Sequence, residues 1–436
     1  MSDVVVLGAG ADALVAAHLL ARAGHRVTVV GEQPASRITD GWVPALLARE
    51  VGVSVLEERP DPWLRAPLAA GGVLELSRDE RRSVESIRRI SPRDAERWPR
   101  FAERMAALAR LLEGLYVEPP PSLVDLRFAL RVRRLGREVM EDLMRLLSMP
   151  AAELLDEWFE SDALKGALAT FAVRGLHQGP RSAGTAFLLL HHHVGNPAGV
   201  FRPPRTDLLS QLAARQSITL QDAPVSRIAV KAGRVTEVVL ERGPGLRADT
   251  VLSTLHPQRT LADLVEPGWL DPELLRALRR IRGRGVATTM EIELDRTPDF
   301  PTLTLAPSLN YVERAYDDVK YRRHSAQPWL DVLVQGKRAE VHCQYVPENE
   351  QPAAGTVTST LAPYLPPITN ARMLAHGGQP HQAELALDQA LWMRPLPELS
   401  RYRTPIDGLW LGGPAMHPGI PGVCGYNCAR QILRKA

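Results

Sequence analysis

Val4-Val5-Val6-Leu7-Gly8-Ala9-Gly10-Ala11-Asp12-Ala13 opens the chain, and Val27-Thr28-Val29-Val30-Gly31-Glu32 follows after one apolar-periodic stretch. Val4 to Leu7 has no polar alternation, the pattern of a strand buried on both faces. Ala13 to Ala23 places Leu14, Ala17, Leu20 and Ala21 at helical spacing and stops at Gly24. Val27 to Val30 reads as a second buried strand. A β-α-β unit opened by Gly-x-Gly holds a dinucleotide pyrophosphate at a helix N-terminus. Gly8 permits the turn, and Gly10 lets the backbone approach the phosphates. Ala13 takes the third small position, where helix packs on strand.

The residue that closes the second strand of such a unit is normally a carboxylate for the ribose. Here it is Gly31, with Glu32 one place later. A one-residue slip in an extended chain points a side chain to the opposite face. Glu32 therefore serves only where the strand bulges or ends early. A carboxylate restored at Gly31 is expected to tighten the cofactor, since each charge-assisted hydrogen bond is worth about 1.5–3 kcal/mol.

At 436 residues the chain is too long for one small core, and two interleaved domains are expected. Hydrophobic content of 45% with 24% charge describes a globular protein, and a net charge of +3 is too mild to argue for nucleic acid. Three cysteines, Cys343, Cys424 and Cys428, give no disulfide framework and point to a reducing compartment. Met1-Ser2-Asp3 leads straight into the first strand, so no signal peptide is expected, and no run reaches the roughly 18 apolar residues of a spanning helix. A cytoplasmic protein is expected. Arg127, Arg131, Arg133, Arg134 and Arg137 cluster beside Leu126, Phe128, Leu130 and Val132, either a solvated helix face or a peripheral membrane contact. His191-His192-His193 resembles a metal tract, but adjacent side chains diverge on a regular element, so no metal site is expected.

Farther along, Trp42 to Val51 reads as a helix and Glu57 to Leu76 as loop and strand, before the charged stretch Asp79 to Arg89. Ser91 to Leu115 is a long amphipathic helix with Trp98, Phe101, Met105, Leu108 and Leu112 on one face. Val139 to Leu147, Ala152 to Phe159 and Asp162 to Phe171 continue in helical period. This block, 91–190, is read as a cap over a substrate channel or, equally on periodicity alone, a core-forming bundle. Val225 to Val230 and Val235 to Glu241 form a hairpin about Lys231-Ala232-Gly233-Arg234. Ala248 to Ser253 is a buried strand ending at Thr254-Leu255-His256-Pro257, where a parallel sheet places ligand-facing groups. Ala287 to Leu294, Trp329 to Gln335 and Val341 to Val346 read as strands of a second, mostly antiparallel sheet. Gly408 to Gly413 is a last buried strand and Gly425 to Leu433 a last helix.

Taken together, these residues resemble the phytoene-desaturase-like flavoproteins of the amine-oxidase superfamily. Within it the chain is most similar to the branch of pyridine nucleotide-disulfide oxidoreductase domain-containing protein 2. The resemblance is carried by Val4 to Gly10, Val251 to Pro257, Leu387-Asp388-Gln389, Met393-Arg394-Pro395, Tyr402 to Leu411 and His417-Pro418-Gly419. It implies an α/β fold: a Rossmann-like FAD-binding domain with a discontinuous α+β substrate domain of mixed sheet plus helical cap. The corresponding division is 1–60, 200–258 and 400–436 for the FAD domain, and 61–199 with 259–399 for the substrate domain.

By position, the resemblance implies that Gly8, Gly10 and Ala13 meet the pyrophosphate and that Val225 contacts adenine through its backbone. Gly413, Pro414 and Ala415 would lie near the ribityl chain and pyrophosphate. His417, Pro418, Gly419 and Ile420 would lie along the flavin ring. Three departures touch the cofactor: Gly31 itself, the short stretch Gln33 to Asp40, and Ile420-Pro421-Gly422 running on about two residues short after His417-Pro418-Gly419. The implied activity is an FAD-dependent oxidoreductase, of desaturase, dehydrogenase or isomerase type, that moves hydride between flavin and a hydrophobic, isoprenoid-like small molecule. The alternative is a flavin-poor pseudoenzyme that keeps the fold to bind a lipid or partner. Catalysis by the first needs no acid–base dyad, because the cofactor carries the chemistry. His417 is the candidate catalytic group, with a structural histidine in a Pro-flanked turn as the competing reading.

Overall fold

A computed structural model describes residues 2–32, 39–121, 137–215, 218–284, 287–347, 354–377 and 383–435. The opening unit forms as its period dictates: strand β1 (Asp3–Leu7), helix α1 (Ala11–Arg22) and strand β2 (Arg26–Val30). Val4 to Leu7 are all at most 2% exposed, because strands flank them on both edges and helix α1 packs on the sheet. β1 pairs in parallel with β2 and with Thr250–Ser253. Thr250–Ser253 pairs in parallel with Leu409–Leu411, and β2 with Thr219–Gln221. One sheet thus gathers strands from near residues 5, 28, 220, 251 and 410, with β1 at its centre. The hairpin Val225–Lys231 and Arg234–Leu240 stands beside it.

The second large sheet holds Thr302–Leu305, Leu330–Gln335, Arg338–Gln344, Ala287–Leu294 and Ile368–Gly377 in that order. All four of its pairings are antiparallel, as the residues themselves suggested for most of this sheet. The cause is local. Gly336-Lys337 closes a two-residue hairpin, so the strand read from Val341 begins at Arg338. Two strands escaped the sequence reading. Ile368–Gly377 is an edge strand rich in polar and small residues, and Thr302–Leu305 is only four residues long. The charged stretch after Asp79 is helical (Glu80–Arg88), capped by the Asp79 carboxylate on the Arg81 N–H.

Helices Pro92–Tyr116, Arg137–Ser148, Ala151–Trp158, Asp162–Val173 and Thr185–His193 form the helical layer. Ser91 caps the first of these through the Asp94 N–H, and Pro92 occupies its first turn. Trp98, Phe101, Phe159 and Phe201 stack within it at centroid distances of 5.0–6.0 Å. The layer is tied to the antiparallel sheet by Asp331, whose carboxylate accepts two bonds from Arg202 at 2.7 and 2.8 Å and one from Arg174 at 2.9 Å. The cluster Arg127 to Arg134 and most of Gln33 to Asp40 lie outside the described residues. Among the described residues no helix is long and apolar enough to cross a membrane.

Candidate cofactor site

Ligands of open α/β sheets bind in the crevice beyond the carboxyl ends of the strands. Here those ends lead into Gly8, Gly31, Thr254 and Gly412. They are packed closely. Thr254 donates its N–H and its Oγ1 to the Leu7 carbonyl at 2.9 and 2.7 Å. A Cβ at Gly8 would stand 2.3 Å from Thr254 Oγ1, and one at Gly413 2.1 Å from the Thr254 carbonyl oxygen. Gly8 is therefore demanded by the Thr254 side chain and by its own φ of +99°, and Gly413 by the Thr254 backbone.

Gly10 is different. A Cβ built there meets nothing within 4 Å, and no side chain caps the helix α1 that begins after it. Open space facing uncapped N–H groups fits a pyrophosphate, so the residues present suit the dinucleotide that the sequence implies. Ala13, fully buried, packs the helix against the sheet.

Gly31 overturns its expectation. Strand β2 ends at Val30, and Gly31 turns at φ +149° with its Cα against the first turn: a Cβ would stand 3.0 Å from Gly8 Cα. No carboxylate fits there without moving the phosphate turn. The absent acid is a requirement of backbone packing, and a side chain at this position loosens the site instead of tightening it. Glu32, one residue beyond the turn at Gly31, is exposed. Val225 begins its hairpin strand half-buried.

The other wall is the turn from Gly412 to Gly422 and the terminal helix Val423–Lys435. Asp12, in the first turn of α1, accepts the Gly425 N–H at 2.8 Å and so caps that helix from across the site. Gly425 has to be glycine, since a Cβ would lie 2.0 Å from the Asp12 carbonyl oxygen. Burial raises the Asp12 carboxyl to about 7 against the pull of the Gly425, Gly422 and Cys424 N–H groups. Sequence reading passed over Asp12. Its signal was an acid at a normally neutral place in the helix-opening turn.

His417 is fully buried, with Nδ1 3.2 Å from the Leu391 carbonyl and Nε2 3.2 Å from the Leu115 carbonyl. Its own carbonyl accepts the Tyr402 hydroxyl at 2.9 Å. Burial lowers its pKa to about 4, against the two carbonyls that favour the charged ring. A neutral ring donates one proton, so one of these contacts sets lone pair against lone pair. With both nitrogens turned to backbone, His417 is a brace between the helical layer and the terminal turn. Pro414 and Gly419 are half-buried beside it, and Ala415, Pro418 and Ile420 are buried.

The three consecutive histidines diverge as expected: His191 Nδ1 meets the Tyr116 hydroxyl at 2.9 Å, His192 Nδ1 the Phe171 carbonyl, and His193 Nδ1 the Val200 carbonyl. A cavity of about 320 Å³ in the helical layer is lined by Arg97, Arg100, Arg104, Arg145 and Trp158 over Met105 and Leu146; none of its lining comes from the strand-end turns.

Residues 3–81 match the FAD binding domain family. Across the chain, pyridine nucleotide-disulfide oxidoreductase domain-containing protein 2 of Rattus norvegicus is 25% identical, covering 99% of this chain and 93% of the relative. A limonene dehydrogenase component of Castellaniella defragrans is 26% identical over 55% of this chain and 46% of its own length. Among solved structures, a putrescine oxidase variant superposes with a TM-score of 0.61 at 16% identity, covering 100% of this chain and 99% of that one. With an FAD-binding domain at residues 3–81 and an oxidoreductase relative matched along almost its whole length, the chain is an FAD-dependent oxidoreductase.

Proposed function

We propose that this flavoprotein oxidises or isomerises a hydrophobic, isoprenoid-like small molecule, as a phytoene-desaturase-like enzyme would. The observation that carries the reading is the make-up of the crevice wall: the buried polar side chains Tyr116, His191 and His417 are engaged with one another or with backbone, which leaves Arg394 as the incompletely bonded one. No carboxylate pair for a charged substrate joins them among the described residues. The likeness to a limonene dehydrogenase component points to the same substrate chemistry.

In this reading Gly8, Gly10 and Ala13 hold the pyrophosphate and Glu32 reaches the ribose from the early strand end. Val225 meets the adenine, and Gly413, Pro414 and Ala415 follow the ribityl chain. Pro418, Gly419 and Ile420 line the ring. Bound FAD supplies a two-electron acceptor for hydride. The chain orients the substrate, and its helical layer excludes water. The test is anaerobic bleaching of the flavin band in the purified protein by a panel of monoterpenes, longer isoprenoids and polyamines. Bleaching by isoprenoids and not by polyamines is expected; bleaching by amines alone would sink the proposal. A colourless protein that takes up no FAD would leave the fold to binding a lipid or partner.

A further inference from the structure

Arg394 follows the short turn Leu391–Met393 and is only 2% exposed. Its guanidinium donates to the carbonyls of Pro414 at 2.7 Å, Ala383 at 2.8 Å and Glu384 at 3.4 Å. Its Nε has no partner among the described residues and faces Gly419, where a Cβ would stand 3.2 Å away. The ionisable groups that bear on it are Cys424 and Tyr116, and burial keeps both neutral. The residues just before Ala383, Gly378-Gln379-Pro380-His381-Gln382, include no acid, and the Glu384 carboxylate turns to the His177 and Arg284 N–H groups instead. Burial of a cation without an anion is costly, and proteins tolerate it where a partner arrives from outside.

Its place in the fold identifies that partner. Pro414 and Gly419 belong to the turn that joins the last sheet strand to the terminal helix, on the wall of the crevice across from Gly8 to Gly10. The uncapped N–H groups of α1 already serve the pyrophosphate on the other wall. Around Arg394 the titratable side chains are held neutral: burial lowers His417 to about 4 and holds His191 well below its usual range. Among the described residues, one positive charge therefore waits beside neutral groups.

We propose that Arg394 is the counter-charge of the flavin ring. An oxidised flavin that takes up two electrons and one proton gains one negative charge, gathered on the pyrimidine edge of the ring. The guanidinium stabilises that form and raises the reduction potential of the bound cofactor. The proposal rests on the assignment of FAD to this crevice.

The test compares wild type, Arg394→Met and Arg394→Lys as FAD-loaded proteins by spectroelectrochemical titration, with separate binding titrations of FAD and of ADP. Wild type is expected to hold FAD at a potential above that of free FAD. Arg394→Met should lower that potential by about 30–60 mV, a ten- to hundredfold change in a two-electron equilibrium, and Arg394→Lys should restore most of it. A folded Arg394→Met that binds FAD at the wild-type potential overturns the proposal. An equal loss of FAD and ADP affinity with the potential unchanged also overturns it, moving Arg394 to the pyrophosphate. Where Arg394→Met does not fold, the wild-type potential decides: a value at or below free FAD refutes the proposal and a value above it supports it. A wild type that takes up no FAD refutes the cofactor assignment itself, and this proposal with it.

Discussion

Asp331 and Arg394 are both fully buried ions, and the protein satisfies them in opposite ways. Asp331 meets two guanidinium groups and the Thr304 hydroxyl, at 2.7–2.9 Å. Burial pushes its carboxyl up, but Arg202 and Arg174 outweigh burial and hold it below the usual carboxylate range. Arg394 meets carbonyl oxygens alone, and burial lowers its pKa to about 10. The first centre is closed and joins the helical layer to the antiparallel sheet. The second is open and sits at the crevice. A buried charge whose hydrogen bonds and counter-ions are complete reports on structure, whereas one left incomplete marks a place where a ligand belongs.

Breaking the closed centre is the most damaging change. Asp331→Asn leaves Arg202 and Arg174 buried without their anion, so chemical denaturation should show a loss of about 3–5 kcal/mol. A loss under about 1 kcal/mol would remove the contrast between the centres.

Acid separates the two without mutation. His417 is lowered to about 4 from an ordinary 6.5, so between those values the unfolded chain binds a proton that the folded chain refuses. Its contribution is complete above pH 6.5 and is lost as pH falls toward 4. Asp331, depressed below 3.8, keeps its contribution until the pH drops under that value. Thermal melts should therefore decline first between pH 6.5 and 4, by a few kcal/mol at most for His417. Burial lowers His191, His192, His193 and His342 as well, so His417→Gln should make that part of the profile shallower by one proton's share; an unchanged slope would refute this assignment.

The glycines give the smallest effects on stability and divide the crevice most finely. Gly31→Glu forces a side chain into positive φ against Gly8, which should cost about 1–3 kcal/mol and weaken FAD. Tighter FAD binding by this variant would restore the reading of Gly31 as a lost acid. Gly10→Val enters open space, so its melting temperature should stay within about 1 °C of wild type while FAD retention is lost. Flavin fluorescence titration of the folded variant is the check.

Much of this architecture was legible because it is written in period. β1, α1 and β2, the 25-residue helix Pro92–Tyr116 and the hairpin at Val225–Leu240 each bury a face that repeats every two or 3.6 residues. Ser91 and Asp79 add capping signals that act within three residues. Ile368–Gly377 was not legible, because an exposed edge strand has no buried face to repeat. Arg394 stood in a run that sequence likeness singled out, yet nothing in that run says whether an acid lies near it.

The sequence by itself determined the dinucleotide turn, the helical layer and the strands that assemble the first sheet, since each depends on neighbours a few residues away. Only the tertiary structure decided what the site residues do. Gly31 is glycine because parallel pairing of β1 and β2 presses it on Gly8. Asp12 caps a helix 413 positions farther along the chain. His417 braces Leu115 and Leu391, and Arg394 has no anionic partner among the described residues because the groups brought against it, Cys424 and Tyr116, are kept neutral by burial. Steric exclusion and charge compensation act between atoms in space, and local periodicity carries no record of which distant segments will meet.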